Sequence, residues 1–157
     1  MFKQNLKPTL FVLDVDGVLS TGQFLYSRFG KIYKIFGAHD SEGLKLISQH
    51  LKIQFISADK RGFGISKRRV KDLGFSLSYV DEKNRLDFFN NIKNENIVFM
   101  GDSYTDSFIF EYIFYSITPS NAVSYAKDKS NFITESKAGE GAVFEACMHL
   151  IEKFFNE

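Results

Sequence analysis

Two aspartates separated by one residue close an apolar run, Phe11-Val12-Leu13-Asp14-Val15-Asp16, and Gly17 follows them. Residues i and i+2 of a strand point the same way, so this spacing brings two carboxylates together at a strand end. Open α/β sheets bind ligands outside that end. Carboxylates so placed repel unless a cation or a shared proton compensates them. A second apolar run, Val98-Phe99-Met100-Gly101, leads into Asp102 and then Asp106. Together the two runs imply a divalent-metal site that handles phosphate.

Hydrolysis of a phosphate monoester spreads negative charge over the transferring oxygens. It therefore calls for a metal, a nucleophile, an acid for the leaving oxygen and a cationic clamp. Asp14 fits the nucleophile, because carboxylates can form aspartyl-phosphate intermediates. Asp16 fits the acid that protonates the leaving alkoxide and then activates water. Asp14, Asp16 and Asp102 are the expected metal residues, and an all-oxygen site that keeps waters suits Mg²⁺. Asp106 is open between touching a metal-bound water, orienting the clamp and satisfying the first turn of a helix. Either Asp102 or Ser103 could cap that helix.

The clamp is Arg85 or Lys83. The two lie about 200° apart on a helix of 3.6 residues per turn, so only one faces the site. Arg85 shares the apolar stripe with Leu86, Phe89 and Ile92, whereas Lys83 aligns with Asp87 and Asn90, which favours Arg85. Ser57 closes the apolar run Phe55-Ile56-Ser57, and its hydroxyl either bonds a phosphate oxygen or caps the strand end. Ala58 and Lys60 follow it as expected substrate contacts. His39 is a further candidate for the substrate side, and Asp40 beside it reads as the N-cap of the next helix. His50 and His149 have no acid or cysteine spacing that supports a metal role.

The elements that must position these residues alternate short apolar runs with amphipathic stretches, the pattern of βαβ units on a parallel sheet. Strands are expected at 10–15, 53–57, 77–80, 97–101, 115–118 and 132–134. Helices are expected at 41–51, 64–73, 82–92, 105–112, 122–128 and 141–155. Right-handed crossovers line up the C-terminal strand ends, and that edge collects Asp14, Asp16, Ser57 and Asp102. Residues 23–36 break the pattern and read as a β-hairpin turning at Phe29-Gly30. Its apolar residues occupy both faces, and a lone hairpin is marginal in water, so it is expected to pack on a neighbouring subunit.

The 157 residues make a single domain with a sizeable core, and 44% hydrophobic against 25% charged is ordinary globular composition. A net charge of +1 gives no electrostatic case for nucleic acid or an anionic membrane. No apolar run approaches the ~20 residues that span a bilayer, and residues 1–8 lack a signal-peptide core. One cysteine, Cys147, excludes an internal disulfide and fits a reducing cytoplasm.

With these motifs the chain resembles the haloacid dehalogenase superfamily of phosphatases, matched at Asp14-x-Asp16, Ser57, Arg85 (or Lys83) and Gly101-Asp102-x-x-x-Asp106. It is most similar to the capless group of 3-deoxy-manno-octulosonate 8-phosphate and nonulosonate 9-phosphate phosphatases. The hairpin directly after Asp14-Val15-Asp16-Gly17-Val18-Leu19-Ser20, and the segment Gly139-Glu140-Gly141-Ala142-Val143, carry that closer likeness over residues 10–151. The resemblance implies an α/β, Rossmann-like parallel sheet flanked by helices, with no cap domain. It also implies Mg²⁺, a small sugar or sugar-acid phosphate as substrate, a role in cell-surface polysaccharide synthesis, and a homotetramer whose hairpins meet. The space between Arg85 and Asp102 agrees, holding only one helix and one strand.

The chain departs from that group at several positions. Thr21 stands for an Asp, His39-Asp40-Ser41 for Arg-Asp-Gly, Ser57-Ala58-Asp59 for Thr-Gly-Arg, Arg85 for a lysine, and Ser103 for a second Asp. Ala138-Gly139-Glu140-Gly141 stands for Gly-Gly-Arg-Gly, and a Glu does not clamp a carboxylate as an Arg does. The changes at Ser103, Arg85 and Glu140 motivate a competing reading, a catalytically weak assembly module beside a nucleotidyltransferase of a nucleotide-sugar pathway.

Overall fold

Strand β1 (Leu10–Asp14) is buried along its whole length, which an apolar run flanked by helices on both sides requires. In the computed structural model it lies in the middle of a six-stranded sheet ordered β5-β4-β1-β6-β7-β8. The other strands are β4 (Lys52–Ser57), β5 (Leu77–Tyr79), β6 (Ile97–Met100), β7 (Tyr115–Thr118) and β8 (Phe132–Ile133), and every pairing is parallel. The structure describes residues 6–92 and 95–156, so part of the N-terminal segment read for a leader lies outside the described residues.

Alternation along the strands builds two cores. Phe11 and Leu13 of β1, Phe55 of β4, and Val98 and Met100 of β6 face one side. There they meet α1 (Asp40–Ile47), α2 (Phe63–Asp72) and α6 (Ala142–Phe154) through Leu44, Val70 and Val143. Leu10, Val12, Ile56 and Phe99 face the other side. There Phe89 of α3 (Arg85–Asn91), Ile109 of α4 (Tyr104–Ile109) and Ala126 of α5 (Ser124–Lys129) cover them. All six expected strands and all six expected helices are present with ends shifted by a few residues. The largest shift is α1, which stops at Ile47 rather than running to residue 51.

Two local readings change. Asp40 does not cap its own helix; its Oδ1 accepts from Phe144 N at 3.0 Å, in the first turn of α6. It thus ties α1 to α6, and Gly43 lets the two helices close on each other, since a Cβ there would meet Phe144 Cα at 2.8 Å. The hairpin, β2 (Ser20–Ser27) with β3 (Gly30–Phe36), begins three residues earlier than expected and forms its own two-stranded sheet. Its faces differ rather than both being apolar. Phe36 packs on the core and the Lys34 side chain is buried, while Leu25, Tyr33 and Ile35 are exposed.

Candidate active site

The C-terminal ends of β1, β4 and β6 open into a cavity of about 340 Å³ lined by Asp14, Asp16, Ala58, Arg85 and Asp102, with Gly22 and Phe24 of the hairpin across its mouth. Position at that edge follows from the parallel sheet alone. Asp14 ends β1, and its Oδ1 accepts from Val15 N at 2.9 Å. Asp16 does not share the strand with it as the spacing implied. The chain leaves β1 at Asp14 and makes one wide turn over Val15–Leu19. Gly17 holds a left-handed φ of 80° in that turn, and the turn still delivers Asp16 into the same cavity.

Of Lys83 and Arg85, Arg85 is the one that lines the cavity. A single 3₁₀ turn (Glu82–Asn84), capped by Asp81 Oδ1 on Lys83 N at 2.9 Å, precedes α3 and leaves Lys83 exposed. Arg85 is 2% exposed, and its Nη1 lies 3.4 Å from Asp14 Oδ2 while also donating to Asp106 Oδ1. Leu86, placed on the inward stripe by the helical spacing, turns out to be exposed.

Asp106 is saturated. Beside the bond from Arg85, its Oδ2 accepts from Asp102 N at 3.0 Å and Ser103 N at 3.1 Å. Ser103 Oγ accepts in return from Asp106 N at 3.1 Å, so Ser103 and Asp106 form a capping box on α4. Asp106 therefore both fixes the clamp and closes the first turn. Carboxylate oxygens of Asp14, Asp102 and Asp106 come within 4.8 Å of one another. One guanidinium among three carboxylates leaves negative charge uncompensated. Burial and the Asp14 and Asp106 charges push the Asp102 carboxyl up to about 8, against the pull of Arg85. Burial likewise raises Asp14, opposed by Arg85. Among the described residues no side chain donates to the Asp102 carboxylate. That donor set and its charge deficit fit a divalent cation held by Asp14 and Asp102. The Asp16 carboxylate, also expected among the metal residues, bonds Lys34 and lies outside the Asp14, Asp102 and Asp106 cluster.

Three other expected substrate residues are not among those lining the cavity. Ser57 is buried at the end of β4, where its Oγ accepts from Asp59 N at 3.2 Å, the strand-end cap it could equally have been. Lys60 and His39 are exposed and do not line the cavity. Glu140 is exposed beside a separate cavity of about 210 Å³ with Thr21, Gln23 and Asn121.

Sequence reasoning missed Lys31, Lys34, Asp59 and Glu82. Lys31, Asp59 and Glu82 line the cavity, and Lys31 bonds Asp59 with its Nζ 3.5 Å from the Phe24 ring centroid. Simple alternation would put Lys31 and Lys34 on opposite faces of β3. The pairing runs Leu25 with Tyr33 and then Tyr26 with Lys31, so Ile32 is an extra residue. That bulge turns Lys31 to the face of Lys34, and nothing in the local pattern announces it.

Comparison with known proteins agrees with this geometry. Residues 24–146 match the model of a family described as haloacid dehalogenase-like hydrolase. The chain is 28% identical over 145 residues to the 3-deoxy-D-manno-octulosonate 8-phosphate phosphatase KdsC of Escherichia coli K12, covering 88% of this chain and 76% of that one. The 3-deoxy-D-manno-octulosonate 8-phosphate phosphatase of Moraxella catarrhalis, solved with a magnesium ion, a phosphate ion and a KDO molecule, superposes with a TM-score of 0.78 at 26% identity, covering 92% and 86% of the two chains. A probable phosphatase from Pseudomonas syringae gives 0.81 at 28% identity, covering 97% and 89%.

Proposed function

Since this chain belongs to the haloacid dehalogenase-like hydrolases, we propose that it is a Mg²⁺-dependent phosphatase that hydrolyses a small sugar or sugar-acid phosphate through an aspartyl-phosphate on Asp14. The observation that carries this reading is the set of Asp14, Asp102 and Asp106 around one guanidinium, beside a second carboxyl, Asp16, in the same cavity. The activity of the relatives supports a sugar phosphate, and the modest cavity supports a small one.

Asp14 attacks phosphorus in line. The bond from phosphorus to the leaving oxygen breaks, its electron pair goes to that oxygen, and Asp16 supplies the proton. Asp16, now a carboxylate, takes a proton from the water that attacks the acyl phosphate. The bond from phosphorus to Asp14 breaks, which frees inorganic phosphate and restores both carboxyls. Arg85 supplies a fixed positive charge beside the phosphoryl oxygens, and Asp106 keeps it from swinging away. Asp14 and Asp102 would hold Mg²⁺, which would supply positive charge to offset that of the phosphate.

The exposed outer face of the hairpin supports assembly as a homotetramer through that element. The buried lone Cys147 supports a reducing cytoplasmic setting. No helix among the described residues is long and apolar enough to cross a membrane.

The test is phosphate release by the purified protein with Mg²⁺ from a panel of nonulosonate, octulosonate, hexose, heptose and glycerol phosphates, with Asp14→Asn as control. Release that disappears in the variant supports the hydrolase. No release from any ester, by a folded protein, turns the reading to the assembly module.

A further inference from the structure

Lys34 is a lysine with a fully buried side chain, and two of the three groups around it, Asp16 and Asp59, line the active-site cavity. Its Nζ lies 2.8 Å from Asp16 Oδ1 and 2.9 Å from Asp16 Oδ2. It is also 2.8 Å from Asp59 Oδ2 and 2.7 Å from Ser66 Oγ in α2. An ammonium has three protons, and these three groups use them. Removing that charge from water costs several kcal/mol, which an apolar residue would avoid. A stability argument alone therefore does not account for a lysine at this position.

Asp16 needs an external anchor. It sits in the wide turn after β1, and its backbone is not part of the sheet. Among the described residues, its carboxylate has one further hydrogen-bond partner besides Lys34, Ser20 Oγ at 3.4 Å. Lys34 does not itself line the cavity, whereas Asp16 does. Any influence of Lys34 on the reaction thus passes through the two cavity-lining carboxylates it holds, Asp16 and Asp59, and of these Asp16 is the one read as transferring a proton.

We propose that Lys34 is a positioning residue that holds the Asp16 carboxyl toward the leaving oxygen and stabilises the carboxylate left when the proton has gone. Asp59 and Ser66 are the fixed points from which Lys34 does this. The inference rests on the reading of Asp16 as the acid. It assigns a catalytic purpose to the hairpin, which reaches under its own domain through β3 to set the acid of the site.

The test uses the leaving group. An alkoxide needs a proton as it departs, whereas a nitrophenolate departs without one. Lys34→Met is assayed on p-nitrophenyl phosphate and on the sugar phosphate turned over best in the panel. The sugar phosphate is expected to lose about 10²-fold in kcat/KM, which covers the steps up to departure of the leaving group, within the range a general acid contributes. The aryl ester is expected to stay within about threefold in kcat/KM, because water attack on the aspartyl-phosphate common to both esters comes after those steps. Equal losses on the two esters, or no loss on either, overturn the proposal and reduce Lys34 to a structural tie. If Lys34→Met does not fold, Ser66→Ala decides, because it removes one fixed point and leaves the ammonium paired. It is expected to show the same selectivity at about fivefold on the sugar phosphate, and an unselective or absent effect overturns the proposal. Wild-type protein that hydrolyses neither ester defeats the phosphatase reading first, and this inference with it.

Discussion

Gly17 and Asp102 arrive from neighbouring strand ends and pack so closely that a Cβ on Gly17 would fall inside the Asp102 carboxylate. Gly17 also carries φ 80°, where a side chain is strained. Gly17→Ala is therefore expected to displace Asp102 and unsettle the turn that presents Asp16. The expected cost is about 1–3 kcal/mol of stability, the range for a misplaced positive-φ residue, with Mg²⁺-dependent phosphate release essentially lost. Thermal unfolding with and without Mg²⁺ checks both parts. A variant of wild-type activity shows that the Gly17–Asp102 approach is dispensable.

Arg85 separates from Lys83 by the same kind of reasoning. Arg85→Ala strands Asp14 and Asp106 as buried carboxylates without their cation, and breaking a buried pair this way costs about 3–5 kcal/mol. Lys83 is exposed and outside the cavity, so Lys83→Ala is expected to keep wild-type turnover. Melting curves and phosphate release from the two purified variants check this; the reverse pattern refutes the assignment of the clamp.

How far these residues were legible depended on how local their causes are. Asp14 and Asp102 stand at the ends of apolar runs, and a parallel sheet sends such ends to one edge, so motif and fold coincide. Arg85 was legible because it shares a helical stripe with Phe89. Asp40 was misread because its partner, Phe144, lies 104 residues away and belongs to another helix. Lys31 and Lys34 were invisible for a different reason. A bulge at Ile32 decides which face Lys31 takes, and a register slip of one residue inverts a strand's pattern. Lys60 and His39 illustrate the converse, polar residues near the right motifs whose side chains point to solvent.

The raised carboxyls of Asp14 and Asp102 give a pH signature. The unfolded chain releases both protons near the ordinary carboxylate range, while the folded, metal-free chain holds them until higher pH, about 8 for Asp102. Between those limits the native state binds more protons, so its stability falls as pH rises. Mg²⁺ needs the ionised carboxylates, so its stabilising effect grows over the same interval. In EDTA the Tm is expected to drop from pH 5 to pH 8.5, and the Mg²⁺-induced increase in Tm to widen. Saturation at about 100 times Kd is worth about 2.7 kcal/mol, and each 1 kcal/mol moves Tm by about 2–4 °C at this chain length. A Mg²⁺ increment that is constant across pH contradicts the assignment of Asp14 and Asp102 as the metal carboxylates.

The hairpin's outer face sets the expected quaternary behaviour. Leu25 and Tyr33 are cross-strand partners, 56% and 63% exposed, with Ile35 beside them and Tyr26 exposed as well. Its inner face is already used, by Phe36 in the core and by Lys31 and Lys34 against Asp59 and Asp16. β2 and β3 pair only with each other among the described strands, so each keeps an open edge as well as an apolar face. Apolar residues gathered on such an element mark an interaction surface. Copies of the hairpin that meet through this face and through both open edges close into a ring, and four such copies make the homotetramer proposed above. Sedimentation velocity at micromolar concentration is expected to give four times the 18.0 kDa chain mass for the wild type. Leu25→Asp with Tyr33→Asp places two like charges opposite each other on that face and is expected to give the single-chain mass. Because Asp14, Asp16 and Arg85 all come from one chain, the variant is expected to keep hydrolysing p-nitrophenyl phosphate. A loss confined to KM for the sugar phosphate then identifies a contact supplied by the neighbouring subunit. A wild-type protein that sediments as a single chain removes the tetramer and leaves the hairpin as a flap on its own domain.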